Sequence, residues 1–294
     1  MKREILLVTG GSSYLGRHLT VRAAEKYTVF ATYHHHPGQI RAGQPLPLDL
    51  ADRAAVLHLF ERVHPQAVIH AAAINPGGDD EAMIEVNVAG SRYVAEGAAA
   101  VGARLVYVST DVVHDGQHAP YAATAAPAPL NRYGRSKAAA EAAVAELCPQ
   151  AVIVRTSLIY GLEEMDRGTA GFTQRLAQGE SLVLFSDVIR QPVWVETLSQ
   201  ALLKLVELDF TGIVNVAGRQ ALTREEFGRK MLAYWGIDGL DRVTSGRAAD
   251  ISGTIPLDLR LTIERGETLL QMTFPGVDEV LANHALSNLA TKIS

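Results

Sequence analysis

The stretch from Ile5 to Gly16 constrains this chain more than any other. Ile5 to Thr9 is a short apolar run with the character of a buried strand, and it feeds directly into Thr9-Gly10-Gly11-Ser12-Ser13-Tyr14-Leu15-Gly16. Leu15, Leu19 and Ala23 then recur at helical spacing, so a strand, a glycine-rich turn and a helix follow one another without a break. A bound pyrophosphate needs this order, because small residues let the backbone come close and the helix N-terminus offers unpaired N–H groups and a partial positive charge. Gly10, Gly11 and Gly16 are the close-approach positions, with Ser12, Ser13, Tyr14 and Leu15 between them. A ligand-free tight turn uses the same glycines, so the turn alone leaves both readings open. Gly11 and Gly16 also have the spacing of a P-loop, but Arg17 and His18 follow where Lys and Ser or Thr are needed for phosphate and magnesium. That argues against an ATPase or GTPase.

The pattern continues for about half the chain. Further strands are expected at Val29 to Tyr33, Ala67 to His70, Leu105 to Ser109 and Val152 to Val154. Between them, Met83, Val86, Gly90 and Tyr93 share a helical face, and Asn131 is a plausible N-cap for an Ala-rich helix running to about Leu147. Strand and helix in alternation give an α/β fold with a Rossmann-type, doubly wound parallel sheet. Beyond Gly161 the alternation fades. Thr169 to Gln178, Glu196 to Leu208, Arg224 to Tyr234 and Ile263 to Leu270 read as helices, and Ile213 to Val216 reads as one more buried strand. We expect a dinucleotide-binding domain of residues 1–160, with about 188–217 returning to its sheet. A smaller, mixed α/β C-terminal domain is expected from about 161–187 and 218–294.

Composition narrows the partners. The formal net charge is −5 over 294 residues with both signs interspersed, so no basic stripe points to nucleic acid. The one cysteine, Cys148, has no internal disulfide partner and suits a reducing compartment. The apolar run after MKRE is too short for a signal peptide, and none elsewhere reaches the roughly 18 residues of a membrane span. A cytoplasmic protein acting on small molecules, without a membrane partner, is the expectation.

Tyr133 and Lys137 form the only Tyr-x-x-x-Lys of the chain, one turn apart on a helix face. They follow the strand that ends in Ser109, Thr110 and Asp111, and ligands of open parallel sheets gather at carboxyl ends of strands. A tyrosine titrates near pH 10, and a neighbouring ammonium such as Lys137 lowers that value. Thr110 could hydrogen-bond a carbonyl oxygen while Tyr133 protonates it as hydride arrives at carbon. Idle surface residues would show the same spacing, and only the company of the glycine turn favours chemistry.

Taken together, Thr9-Gly10-x-x-Ser13-x-x-Gly16, Ser109-Thr110-Asp111, Tyr133-Gly134-x-Ser136-Lys137 and Val154-Arg155-Thr156-Ser157-x-x-Tyr160-Gly161 resemble an extended short-chain dehydrogenase/reductase over the whole chain. Ser109 to Gly116, Arg190-Gln191-Pro192-Val193 and Pro256 to Leu261 most resemble the dTDP-4-dehydrorhamnose reductase family. The resemblance implies Thr110, Tyr133 and Lys137 as catalytic residues, with Lys137 also holding the nicotinamide ribose. It implies Tyr33, His34, Asp49 and Leu50 near the adenosine end, Ala71, Ala72 and Ala73 after the fourth strand, and Asn87 and Ser109 beside the cofactor. On the substrate side it implies Thr110, Asp111, Val112, Val113, Leu158 and Arg190. The substrate would be a nucleotide-linked keto sugar, most similar to a dTDP-4-dehydro-6-deoxyhexose, bound by the smaller domain. Some relatives pair, which leaves a homodimer open.

The sequence departs from the family at several points. Ser13 replaces the middle glycine, and Leu158 stands where rhamnose-forming relatives carry Trp. The second strand ends in Tyr33-His34-His35-His36 with no acid for a ribose 2′-hydroxyl and with Arg41 near, which favours NADP(H) over NAD(H). Three adjacent histidines cannot all face one ion, so no metal is expected. His114-Asp115 has no nucleophile elbow beside it and reads as a substrate-facing loop. Two rival functions stay open: a cofactor-binding regulatory subunit without turnover, and a nucleotide-sugar epimerase or dehydratase, although Val112 occupies the place of a dehydratase's glutamate.

Overall fold

The computed structural model describes residues 3–77 and 79–293, with side chains as far as Leu286. The first half alternates strand and helix: β1 (Ile5–Thr9), α1 (Tyr14–Ala23), β2 (Thr28–Tyr33), β3 (Gln44–Pro47), α2 (Arg53–Val63) and β4 (Ala67–His70). Next come α3 (Asp80–Ile84), a π-helical turn over Glu85–Gly90, α4 (Ser91–Val101), β5 (Arg104–Thr110), α5 (Arg132–Leu147) and β6 (Val152–Thr156). Shorter elements follow: β7 (Ile159–Tyr160), α6 (Arg167–Ala177), β8 (Leu182–Phe185), β9 (Ile189–Arg190) and β10 (Val193–Trp194). The chain continues through α7 (Val195–Glu207), β11 (Gly212–Val216), β12 (Leu222–Thr223), α8 (Arg224–Tyr234), β13 (Val243–Gly246), α9 (Glu264–Leu270) and α10 (Val277–Ile293).

Seven strands form one parallel sheet in the order β11-β6-β5-β4-β1-β2-β3. The order reverses between β1 and β4, and a parallel sheet opens a ligand crevice at that point. Alternate side chains feed two cores. Leu6, Val8, Val106 and Val154 pack with Leu19 and Leu202 of α1 and α7 on one face, while Leu7, Leu105, Tyr107 and Ile153 pack with Phe60, Val94 and Val144 of α2, α4 and α5 on the other. Because both faces are covered, these strands read as unbroken apolar runs.

Strand β3 was not anticipated from the sequence. Pro45 and Pro47 demote such a run, yet it lies at the sheet edge, where a missing N–H costs nothing because no further strand asks for it. The helix built on Met83 and Gly90 is interrupted by the π-helical turn, which points Asn87 inward as a fully buried residue. Asn131 caps α5 by accepting from the Gly134 N–H at 2.9 Å. Helix α6 starts at Arg167, two residues early, because the Asp166 carboxylate accepts from the Gly168 and Thr169 N–H groups at 2.8 and 3.1 Å. A small apolar cluster of Tyr160, Leu222, Phe227, Met231 and Val277 joins β7, β12, α8 and α10 beside the sheet's carboxyl edge.

Candidate active site

At that edge lies a cleft of about 650 Å³. One end is the glycine turn. Gly10 has φ +74°, and a Cβ there would sit 2.8 Å from the Ala72 backbone; a Cβ on Gly16 would sit 2.1 Å from the Gly10 carbonyl oxygen. Only glycine lets the turn close on β4 and on itself. Ser13 caps α1 by accepting from Gly16 N–H at 3.1 Å, and Ser13, Tyr14 and Leu15 line the cleft. Apart from Gly16, whose N–H Ser13 takes, the first-turn residues of α1 have N–H groups without partners in the helix backbone, and Tyr14 and Leu15 lie on the cleft, so the residues present fit a dinucleotide's pyrophosphate.

The middle of the cleft carries Thr110, Tyr133 and Lys137, from the end of β5 and the start of α5. The Thr110 hydroxyl accepts from Val112 N–H at 3.2 Å and donates to Asp111 Oδ1 at 3.2 Å. Lys137 is 3% exposed, with Nζ 2.8 Å from the Val108 carbonyl oxygen and 4.3 Å from the centre of the Tyr107 ring. Burial lowers its ammonium to about 7, against a raising influence from Glu141. Behind it, Glu141 accepts from Ser109 Oγ at 2.6 Å and pairs with the buried Arg155 at 2.8 Å.

Here the electrostatic expectation needs correction. Tyr133 is pushed up to about 12, first by burial and then by the Asp111 charge, while Arg190 and the Thr110 hydroxyl pull it down. Burial lowers the Lys137 ammonium to about 7, so Lys137 has lost its charge well below the pH at which Tyr133 would ionise and lends the phenolate none. The cation that favours the phenolate is Arg190.

Of the remaining anticipated residues, Ala71, Ala73, Ser109, Val112, Leu158 and Arg190 line the cleft. Others do not. Asn87 is fully buried: its side-chain oxygen accepts from Ile74 N–H at 2.7 Å, and its amide nitrogen donates to the Ile74 carbonyl at 3.0 Å and to Ser136 Oγ at 3.1 Å. It holds the loop after β4 against α5, with both of its polar atoms engaged by the protein. Asp111 and Val113 are also fully buried, and both Asp111 oxygens are engaged by Arg190. Ala72 and Leu50 turn into the second core. Gly10, Gly11 and Ser12 form the turn behind the lining residues, while Tyr33, His34 and Asp49 gather past the end of β2, with His34 Nε2 3.9 Å from Asp49 Oδ2. His114 does not face substrate: it is buried and stacked on Tyr121 with ring centres 4.0 Å apart.

Sequence reasoning missed the far end of the cleft. Asp166, Arg167, Phe172, Arg175 and Arg224 line it, from α6 and the start of α8. Arg224 is lowered to about 10 by burial and by the like charge of Arg190, and among the described residues its guanidinium has no ion pair or hydrogen bond. A readable signal was present: Thr223 and Glu226 make a capping box, which fixes Arg224 as the first residue of α8. Among the described residues no group of three His, Cys, Asp or Glu could hold a metal, and no helix is long and apolar enough to cross a membrane.

The chain matches the model of a protein family described as the RmlD substrate binding domain over residues 3–255. It is 32% identical over 244 residues to a dTDP-4-keto-6-deoxy-D-glucose reductase of Streptomyces niveus, covering 79% of each chain. It is 31% identical over 236 residues to methionine adenosyltransferase 2 subunit beta of Xenopus tropicalis, covering 75% of this chain and 69% of that one. The crystal structure of dTDP-4-dehydrorhamnose reductase from Bacillus anthracis in complex with NADP is similar with a TM-score of 0.81 at 25% identity, covering 97% of this chain and 99% of that one.

Proposed function

The chain belongs to the RmlD substrate binding domain family, and we propose that it is an NAD(P)H-dependent reductase of the keto group of a dTDP-linked 4-keto-6-deoxy sugar. The observation that carries this reading is the convergence of Thr110, Tyr133 and Lys137 on one cleft, with the glycine turn at one end and Arg190 and Arg224 at the other. The activities named for the Streptomyces niveus and Bacillus anthracis proteins support the same substrate class.

The nicotinamide cofactor supplies the hydride when bound, with its pyrophosphate on Ser13, Tyr14 and Leu15 at the start of α1. NADP(H) is favoured over NAD(H), since β2 ends without a carboxylate; the NADP in the Bacillus anthracis structure supports this. As the carbonyl carbon accepts hydride, its oxygen gains negative charge. The Tyr133 phenol, kept protonated by its raised pKa, gives that oxygen its proton and takes one back from solvent, so the ketone leaves as an alcohol. Thr110, once its hydroxyl turns from Asp111, donates to the same oxygen, and Arg190 steadies the transient phenolate. The Lys137 ammonium has three donors and spends one on Val108, leaving two for the cofactor's ribose.

Residues 1–160 with about 188–217 serve as the cofactor domain, and about 161–187 and 218–294 as the substrate domain. Arg224 and Arg167 face the sugar nucleotide's diphosphate, and Leu158, Ile159 and Phe172 offer an apolar wall to the deoxy carbon. A cytoplasmic location accords with the cofactor.

Absorbance at 340 nm tests this directly, with purified protein, NADPH or NADH, and a panel of nucleotide-linked 4-keto sugars. Stoichiometric cofactor oxidation is expected. Tight cofactor binding with no oxidation across the panel would replace the reductase with a regulatory subunit, and sugar conversion without net oxidation would replace it with an epimerase.

A further inference from the structure

Glu164 joins two arginines beside the glycine turn. One of its oxygens pairs with Nη2 of Arg17, in the first turns of α1, and the other lies 2.6 Å from Nη2 of Arg41. Nε2 of the buried His18 stands 3.7 Å from that second oxygen. Arg17 also donates to the Ser12 carbonyl at 3.1 Å and reaches Gln39 Oε1 at 3.4 Å, which places the cluster where the turn meets the loop after β2. Glu164 arrives from across the cleft, on the loop between β7 and α6, and its carbonyl accepts from the Tyr14 hydroxyl at 2.9 Å.

In a sheet of this order a dinucleotide lays its adenosine ribose over the end of β2, beside the residues of the turn. β2 itself brings no carboxylate to the ribose hydroxyls, because it ends in Tyr33 and His34 follows; the nearest acid there is Asp49, from the loop after β3, 3.9 Å from His34 Nε2. Two guanidinium groups converging on one anion form the arrangement that a phosphate monoester requires. The anion they hold is the protein's own. The Glu164 side chain is 29% exposed and those of Arg17 and Arg41 are 15% and 42% exposed, so a ligand can reach all three.

We infer that Glu164 is a cofactor-specificity residue, whose carboxylate competes with the 2′-phosphate of NADP(H) for Arg17 and Arg41. The inference rests on the dinucleotide reading above. NAD(H) leaves the Glu164 pairings intact, whereas NADP(H) must take the arginines from Glu164 and bear its charge nearby. The carboxylate therefore narrows a preference that the two arginines alone would make strong.

Direct binding without sugar tests this, by titrating wild type, Glu164→Gln and Arg41→Gln with NADPH and NADH and following cofactor fluorescence. Glu164→Gln should tighten NADPH on the order of tenfold and leave NADH unchanged, and Arg41→Gln should weaken NADPH on the same order and again spare NADH. Adenosine 2′,5′-bisphosphate, used as a competitor, should follow NADPH. An unchanged ratio of the two dissociation constants in Glu164→Gln, or equal shifts for both cofactors, overturns the inference alone. Failure of the wild type to bind either cofactor overturns the dinucleotide reading with it.

Discussion

Arg190 donates to both carboxylate oxygens of Asp111, through Nε at 2.8 Å and through Nη2, and so ties the far wall of the cleft to the residue that follows Thr110. The Asp111 side chain is 0% exposed and that of Arg190 is 12% exposed, so little solvent screens the pair. Neutralising one partner leaves a desolvated charge on the other. Asp111→Asn should cost about 3 kcal/mol of stability, read as a fall in the urea midpoint. It should also lower the Tyr133 pKa, because Asp111 is the charge that raises it and Arg190 then acts unopposed. A phenol titration, taken as the difference from Tyr133→Phe, reads that shift, and an unmoved titration would show that the Asp111 charge does not reach Tyr133.

Lys137 makes stability depend on pH with a sign that can be checked. Burial sets its folded pKa at about 7 against an ordinary value of 10.5, so between those values the unfolded chain binds more protons than the folded one. Stability contributed through Lys137 must then rise from pH 7 and level off above about 10.5. Compared with Lys137→Met, wild type should gain a few kcal/mol across that window, roughly 1.4 kcal/mol per pH unit at most. Parallel unfolding midpoints for the two proteins from pH 7 to 10 would mean that Lys137 stays charged in the folded state.

Tyr133→Phe removes one oxygen from a half-buried ring and leaves the glycine turn untouched. Turnover should fall by about a thousandfold or more while NADPH affinity stays within error, because general-acid transfer contributes on that scale and the hydroxyl does not hold the pyrophosphate. Near wild-type kcat in the variant would remove Tyr133 from the chemistry.

Much of this site was legible because its signals are local. The Gly10 to Gly16 turn, the Asn131 cap and the Tyr133 and Lys137 spacing all lie within a few residues, and each follows from backbone geometry. Side-chain direction was not legible. Asn87 carries a familiar polar side chain, but one π-helical turn aims it at Ile74 and Ser136. His114 is drawn under Tyr121 rather than toward substrate. Lys137 has the expected spacing from Tyr133, yet burial lowers its ammonium to about 7, and Arg190, 79 positions from Asp111 in the chain, is the cation that favours the phenolate. Long-range pairs such as Glu164 with Arg17 and Arg41 depend on how α1 and the β7–α6 loop meet, and no window of sequence contains both.

Arg224 gives a prediction in which binding and stability move in opposite directions. Among the described residues no anion pairs with its guanidinium, which lies in the cleft beside the like-charged Arg190; burial and that neighbour disfavour its charge and outweigh the favourable influence of Asp166 and Asp111. A folded protein keeps such a group at a cost, and a ligand anion is what offsets it. Arg224→Gln relieves the repulsion, so the urea midpoint should rise. The same change should raise KM for the nucleotide sugar about tenfold to a hundredfold with kcat little altered, as expected for one charged hydrogen-bonding contact made equally in ground and transition states. If the midpoint falls, Arg224 is bound within the protein; if KM is unchanged, the diphosphate lies elsewhere in the cleft.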